Sequence, residues 1–315
     1  MEEEVRSEGL NAMPLVSVIT INYNGVKYTC DLLSSLKKIT YPNYEIIVVD
    51  NNSKEDPGEI EIQHPDVKLI RSKENLGFAG GNNVGMMVAR GKYFLLLNND
   101  TEVDPDFMHP LVEKLETDPM AGAASSKLIY YNSDNIIQYA GSSRINPFTG
   151  RNKTLGNKEK DNGQYDGCCT TCYAHGAAMM IPRKVVEKIG LMAEQYFLYY
   201  EELDFCERIN AAGYNIWYVG KSVVYHKESM SVGKESPLKA FYMTRNRLIF
   251  MRRNFKGIPL FMSFLFFTSI ALPKNVFAHL KEGKKELAKE VLKGFVSNFK
   301  VQNINDNPKL NIQSI

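Results

Sequence analysis

Four short apolar runs, each closing in polar residues, set the tightest limit on how this chain can fold. They are LVSVITINYN (15–24), YEIIVVDNNS (44–53), VKLIRSKEN (67–75) and KYFLLLNND (92–100). Their apolar stretches are near-continuous rather than alternating, the pattern of strands buried on both faces in a parallel sheet covered by helices. VKYTCDLLSSLKKI (26–39) between the first two has helical spacing, and NLGFAGGNNVGMMVARG ahead of the fourth reads as a Gly-rich turn leading into a helix. The alternation predicts an α/β fold with an open, mostly parallel sheet flanked by helices. At 315 residues the chain can bury a substantial core, as one large domain or a domain with an appendage.

Three strand ends carry polar clusters: Asn22-Tyr23-Asn24, Asp50-Asn51-Asn52-Ser53 and Asn98-Asn99-Asp100. Asn and Asp are common in turns, so any one cluster reads equally as plain chain punctuation or as part of a site. Ligands in open α/β sheets, however, bind at the carboxyl ends of strands, and three clusters on one edge favour a ligand site. GFAGGNNVG fits neither the dinucleotide nor the P-loop glycine pattern. Its glycines permit close backbone approach, and Asn82 and Asn83 could present amides to a ligand; a purely structural turn is the equal alternative.

From 125 to 172 the pattern loosens. Stretches such as GSSRINPFTGRNKTLGNKEKDNGQYDG predict a long mobile loop, of the kind that often serves as a lid. HGAAMMIPRKVVEKIG then reads as a strand and a helix. In YFLYYEELDFCERINAAGYNIWYVG, Glu201, Glu202 and Asp204 fall in a first helical turn, where the helix dipole stabilises negative charge and acids are routine caps. His226 ends a further strand, IWYVGKSVVYH. A lone histidine is usually a core or surface residue, but Asp100 is a candidate metal carboxylate in the same fold.

Lys and Arg number 38 against 36 Asp and Glu, which argues against a dedicated nucleic-acid binder. Five cysteines, three of them in CCTTC, do not form a secreted disulfide framework. They read as reduced cytosolic thiols, with zinc binding the lesser alternative. MEEEVRSEGLNAMP lacks a signal-peptide core and is expected to be a disordered tail over 1–13.

Taken in order, VSVITINYNG, VVDNNS, NLGFAGGNN, LLLNNDTEVD, HGAAMMIPRK, FLYYEELDFCERINAAGY and VVYH resemble the family-2 glycosyltransferases, most of all the rhamnosyltransferase-type enzymes of surface polysaccharide synthesis. The resemblance covers about 14–250. It implies a GT-A fold with a nucleotide-binding half (14–104) and an acceptor-binding half (105–250). It implies inverting transfer from a nucleotide-diphosphate sugar, such as dTDP-rhamnose or a UDP-sugar, to a glycan or lipid-linked acceptor, with Mg²⁺ or Mn²⁺ on the diphosphate. By position, Tyr23, Asn24, Asp50, Asn52 and Asn82 would contact the donor. Asn98-Asn99-Asp100 occupies the metal motif, with Asn98 where the family usually has Asp and hence either standing behind the metal ligands or making an amide contact; Asn98 and Asn99 would lie on the donor. Asp100 and His226 would hold the metal. Glu201-Glu202 is the catalytic pair, with Glu202 as base where Asp is common. His175, Gly176 and Asp204 would face the acceptor. Arg245 and Arg247, in FYMTRNRLIF, could add diphosphate contacts. An unperturbed Glu202 would be ionised at neutral pH. A catalytically inactive sugar-nucleotide or polysaccharide-binding protein of the same fold is the alternative. A nucleotidyltransferase is a third reading, but INYNGVKYT does not supply its basic Gly-rich loop.

Beyond Met251 basic residues outnumber acids around IPLFMSFLFFTSIALP (258–273), a run bounded by prolines and shorter than the ~20 apolar residues of a spanning helix. KKELAKEVLKGFVSNF follows with an apolar stripe. The region 251–315 reads either as a helical subdomain packed on the enzyme or, in preference, as a peripheral contact with an anionic membrane surface, which would place the protein at the cytoplasmic face of the membrane.

Overall fold

The structure is a computed structural model that describes residues 13–227 and 236–310. The acidic tail expected over 1–13 lies outside the described residues except for Met13. The alternating half runs β1 (Val16–Asn22), α1 (Val26–Leu36), β2 (Tyr44–Asp50), α2 (Gly58–Gln63), β3 (Lys68–Arg71), α3 (Gly77–Val88) and β4 (Tyr93–Leu97). There follow β5 (Thr101–Val103), α4 (Met108–Thr117), β6 (Ala121–Tyr130), β7 (Ile137–Tyr139), β8 (Cys168–Thr171), β9 (Ala178–Pro182), α5 (Arg183–Ile189), α6 (Glu201–Ala211) and β10 (Asn215–His226). The chain closes with α7 (Pro237–Asn254), α8 (Gly257–Phe266), α9 (Leu272–Lys281) and α10 (Lys285–Asn298).

One sheet holds the strands in the order β3-β2-β1-β4-β9-β6-β10-β5, with β7 paired to β6 and β8 to β10. The first four run parallel, so β1, β2 and β4 deliver their carboxyl ends to one edge. β9 inserts antiparallel between β4 and β6. Successive residues enter opposite apolar layers: Leu95 and Leu97 join one, Phe94 and Leu96 the other. That is the physical content of the continuous runs, since a strand covered on both faces has no polar side to alternate with. α1 and α4 cover one face through Leu32, Leu33, Leu111 and Leu115. α3, α5 and α6 cover the other through Met86, Val186 and Phe205. α3 lies close on β1 because Gly85 has no side chain; a Cβ there would sit 2.3 Å from Ile19 Cγ2.

Two expectations are corrected. The segment 125–172 is not loop throughout, for β6 runs through its start as a buried strand, with β7 and β8 beyond, while 141–167 between β7 and β8 carries no helix or named strand, as expected. Its polar letters are satisfied by tertiary partners: Ser125 Oγ donates to Ala178 O, and Ser126 and Ser222 share a hydroxyl–hydroxyl bond of 2.7 Å. Lys127, also buried, pairs with Asp161 and Asp166 on the following excursion.

The proline-bounded run is also longer as a helix than its composition suggested. Gly257–Lys281 is 25 residues of continuous helix, long and apolar enough to cross a membrane; its most apolar stretch has mean hydropathy 1.5 and is only 17% buried. Pro273 does not break it because the preceding turn, Phe267–Ala271, is widened to a π-helix in which Leu272 N–H reaches back to Phe267 O. Phe267 and Ala271 pack on Leu248 and Met251 of α7, while Ile258, Phe261 and Phe277 stand in solvent. α7 runs unbroken past residue 250, where the appendage was expected to begin.

Candidate active site

A cleft of about 470 Å³ opens where β1, β2 and β4 end, lined among others by Tyr23, Asn51, Asn82, Asn98, Asn99, Asp100, Gln138, His175, Gly176, Glu201, Glu202 and His226. Its first wall is the row of polar strand ends. Asn22 is wholly buried and ties β1 to β2, its Nδ2 donating to Asp50 Oδ1 at 2.7 Å. Thr29 on α1 donates to Asn22 Oδ1 and accepts from Asn99 Nδ2, which continues the chain to β4. Ser53 also donates to Asp50 through both its backbone N–H and its hydroxyl. Asp50 thus anchors the strand ends, and it does not line the cleft. Asn24 and Asn52, both at positive φ as Asn tolerates, shape the adjoining turns and do not line it either.

The register of β10 places His226 opposite Thr101, the residue after Asp100. Lys227 N–H fixes the Asp100 carbonyl at 2.8 Å. His226 Nε2 stands 3.1 Å from Asp100 Oδ1, and Nδ1 lies 2.7 Å from Gln138 Oε1. Gln138 thus holds the ring from behind at Nδ1 and leaves Nε2 facing the Asp100 carboxylate. A carboxylate oxygen beside an imidazole nitrogen, with the ring oriented from behind, is a donor set that suits a divalent cation. Among the described residues no group of three or more His, Cys, Asp or Glu is placed to hold a metal, so further ligands would come from diphosphate or water. The five thiols are unpaired. His175 lines the cleft beside His226; burial and the neighbouring imidazole push its pKa down to about 3, against the opposing pull of Asp100, so it is neutral.

A second wall begins with a turn of unusual backbone. Phe197, Tyr199 and Tyr200 take φ of 64°, 69° and 76°, a region costing about 1–3 kcal/mol for each non-glycine residue. Tyr200 leads into α6, whose first residues, Glu201 and Glu202, project into the cleft. Burial raises the pKa of both, and for Glu201 the adjacent Glu202 charge adds to it. Glu201 lies well above the usual carboxylate range, and its Oε2 has no partner. The expectation of an unperturbed Glu202 is therefore corrected. Gly176 packs against Glu202; a Cβ there would sit 3.6 Å from Glu202 Cβ.

Several expected site residues stand elsewhere. Asn82 lines the cleft, but Asn83 is turned inward, exchanging hydrogen bonds with the Met192 backbone and donating to Glu194. Asp204 is buried against Arg253, Arg208 and Asn254 and is fully occupied in holding α6. Arg245 and Arg247 spend their guanidinium groups on backbone carbonyls, of Gln195 and Tyr196 and of Thr149 respectively. Neither lines the cleft. Gln138 and Lys239, which do line it, were not singled out in the sequence. Gln138 sits between buried Ile137 and Tyr139 in a three-residue strand too short to betray itself by alternation.

The family description "Glycosyl transferase family 2" matches residues 17–190. The protein y4gI of Sinorhizobium fredii, itself uncharacterised, is 28% identical over 78% of this chain, which spans only 28% of that relative's length. A hexosyltransferase of low-salt glycan biosynthesis, Agl10 of Haloferax volcanii, is 26% identical over 74% of each chain. Among solved structures, GalNAc-T7 with UDP, GalNAc and Mn²⁺ superposes with a TM-score of 0.62 at 17% identity, over 88% of this chain and 55% of that one. The mannosyltransferase PcManGT of Pyrobaculum calidifontis, with GDP-Man and Mn²⁺, gives 0.57 at 15% identity over 95% and 94%. These likenesses establish the fold: a glycosyltransferase α/β sheet with C-terminal helices added.

Proposed function

The chain belongs to glycosyl transferase family 2, and from that premise we propose that it moves a sugar, with inversion, from a nucleotide-diphosphate donor to a hydroxyl of a glycan or lipid-linked acceptor. dTDP-rhamnose and UDP-sugars are the donor classes to test first. The observation that carries the reading is one cleft lined both by the Asp100–His226 pair and by the Glu201-Glu202 pair.

In this reading Glu202 takes the proton of the acceptor hydroxyl as that oxygen bonds to the anomeric carbon. The bond from that carbon to the diphosphate oxygen breaks, and its electron pair leaves with the nucleoside diphosphate. A carboxylate whose pKa is raised by burial is a better base near neutral pH than an exposed one. Burial and the adjacent Glu202 charge push Glu201 toward its protonated form, which lowers the charge of the pair. Mg²⁺ or Mn²⁺ held by Asp100 and His226 would supply charge neutralisation for the leaving diphosphate. Gln138 keeps the His226 ring in place, and the amides of Asn51, Asn82, Asn98 and Asn99 offer hydrogen bonds to the donor.

The acceptor class is suggested by the C-terminal helices. Ile258, Phe261, Leu265 and Phe277 form an exposed apolar ridge beside Lys256, Lys274 and Lys281. An apolar ridge edged by lysines suits the surface of an anionic bilayer. That would hold the protein at the cytoplasmic face of the membrane, beside a lipid-linked acceptor. Purified protein should release nucleoside diphosphate from one donor of a panel in a Mn²⁺- or Mg²⁺-dependent manner, and float with vesicles containing anionic lipid. No release from any donor, with donor binding intact, would favour the inactive binding protein.

A further inference from the structure

We infer that Arg245 and Asn246 form a clamp that holds the strained turn Phe197–Tyr200 and thereby sets where Glu202 stands in the cleft; the inference rests on the reading of Glu202 as the base. Asn246 is wholly buried on α7. Its Nδ2 lies within hydrogen-bond distance of three backbone carbonyls of the turn, Tyr196 O at 2.8 Å, Leu198 O at 2.7 Å and Tyr199 O at 2.8 Å. Its amide cannot flip without loss, because Arg245 Nε donates to Asn246 Oδ1 at 2.9 Å. The same guanidinium reaches Tyr196 O through Nη2 at 3.0 Å. Every polar atom of the Asn246 side chain is therefore engaged with the turn or with the arginine that orients it.

The turn is held from its far side as well. Phe78 N–H on α3 donates to Phe197 O at 2.7 Å, an approach open only because Gly77 has no side chain. A Cβ on Gly77 would lie 2.2 Å from that carbonyl oxygen. Tyr242 of α7 stacks on the Phe197 ring at 5.1 Å. Further along α7, Arg253 and Asn254 grip Asp204 in the first turn of α6. One helix thus holds both the turn before Glu201-Glu202 and the helical turn that carries the pair. Left-handed backbone at three bulky residues persists only where surroundings over-determine it, and the Asn246 amide is the group that touches most of this turn. Arg245, expected on sequence grounds to meet the diphosphate, is a positioning residue here.

The test uses the full-length chain with Asn246→Ala and Asn246→Asp; the aspartate keeps an acceptor for Arg245 and replaces the donor. Four readouts are taken: amide hydrogen exchange, thermal stability, donor binding, and nucleoside diphosphate release. We expect exchange across 197–204 to rise at least about tenfold while peptides over β4 stay unchanged. The kcat should fall roughly 100-fold, the scale of an ångström-sized misplacement, with donor Kd changed less than threefold and the acid limb of the kcat–pH profile displaced. Arg245→Lys, a milder change that removes the orienting Nε contact, should show the same signature at about a tenth of the size, and it decides the matter if the Asn246 variants do not fold. Unchanged exchange over 197–204 overturns the clamp whatever the base is. Raised exchange with unchanged kcat overturns its positioning role, as does a kcat loss matched by loss of donor binding and of thermal stability. If Glu202→Gln keeps full turnover while the Asn246 variants show raised exchange and low kcat, the clamp stands and the assignment of the base fails.

Discussion

The wall of the cleft that bears Asp100 stands on parallel strands, whereas the wall that bears Glu201 and Glu202 stands on a turn with three non-glycine residues at positive φ. In the first, main-chain ladders carry Asn22, Asp50 and Asn98 to one edge, and short side-chain bonds knit the ends together. In the second, a few local bonds such as Leu198 N–H to Tyr196 O close the turn, and α3 on one side and α7 on the other hold it there. A wall of the first kind is rigid by construction and suits the fixed geometry of a donor. A wall of the second kind is held under strain and suits the group whose exact reach decides turnover. Substitutions should therefore divide, with strand-end changes acting on donor affinity and turn-side changes on kcat.

Glu202→Gln tests that division most severely. Loss of a general base lowers turnover by roughly 10²–10⁴-fold, and with the first wall untouched the donor Kd should move less than threefold. Single-turnover rates and equilibrium donor binding measure the two separately; a parallel fall in both would erase the distinction. Gln138→Ala is the converse. It leaves Glu202 in place and frees the His226 ring, so metal-dependent donor affinity should drop about 10–100-fold, the usual cost of losing the group that orients a metal-binding histidine. Titration of donor against Mn²⁺ reads that effect, and an unchanged affinity would remove His226 from the metal.

The same division explains what could be read from the sequence. β1, β2 and β4 were legible because continuous β-branched and apolar runs admit little else, and their polar ends named Tyr23, Asn98, Asn99 and Asp100 without tertiary help. β6 was illegible because AGAASSKLIY looks half polar until Ser125, Ser126 and Lys127 meet Ala178, Ser222, Asp161 and Asp166. Asp204 and Arg245 drew attention as charges near a motif, yet their partners lie about fifty residues away along the chain, on α7 and in the turn respectively. The Gly-rich segment was read as a local turn or a ligand contact. It is helix from Gly77 onward, and there Gly77 admits the Phe197 carbonyl while Asn82 lines the cleft.

Gly77→Ala carries the comparison to the glycine that joins the two walls. Its φ of +69° and the 2.2 Å approach to Phe197 O mean that both the backbone and the turn must shift. A destabilisation of about 1–3 kcal/mol is expected, lowering Tm by several degrees, and kcat should fall with it while Gln138-dependent metal affinity stays. Calorimetry alongside the metal titration checks both halves of that statement.

Glu201→Gln should give the smallest effect, and its sign is the informative part. Burial and the Glu202 charge raise the folded-state pKa of Glu201 above the ~4.3 of an unfolded glutamate. Between those two values the folded chain binds more protons than the unfolded one, so stability falls as pH rises through that interval. The contribution is fully present below the unfolded pKa and lost once the folded value is passed. The amide has no proton to lose and removes the effect. The Tm difference between variant and wild type should therefore be flat in acid and open in the variant's favour toward neutral and alkaline pH. Turnover at neutral pH should change far less than in Glu202→Gln, because an uncharged amide then replaces an already uncharged acid. A Tm difference constant from pH 4 to 9 would mean that Glu201 is ionised in the fold, and the pair would then carry two charges on the strained wall rather than one.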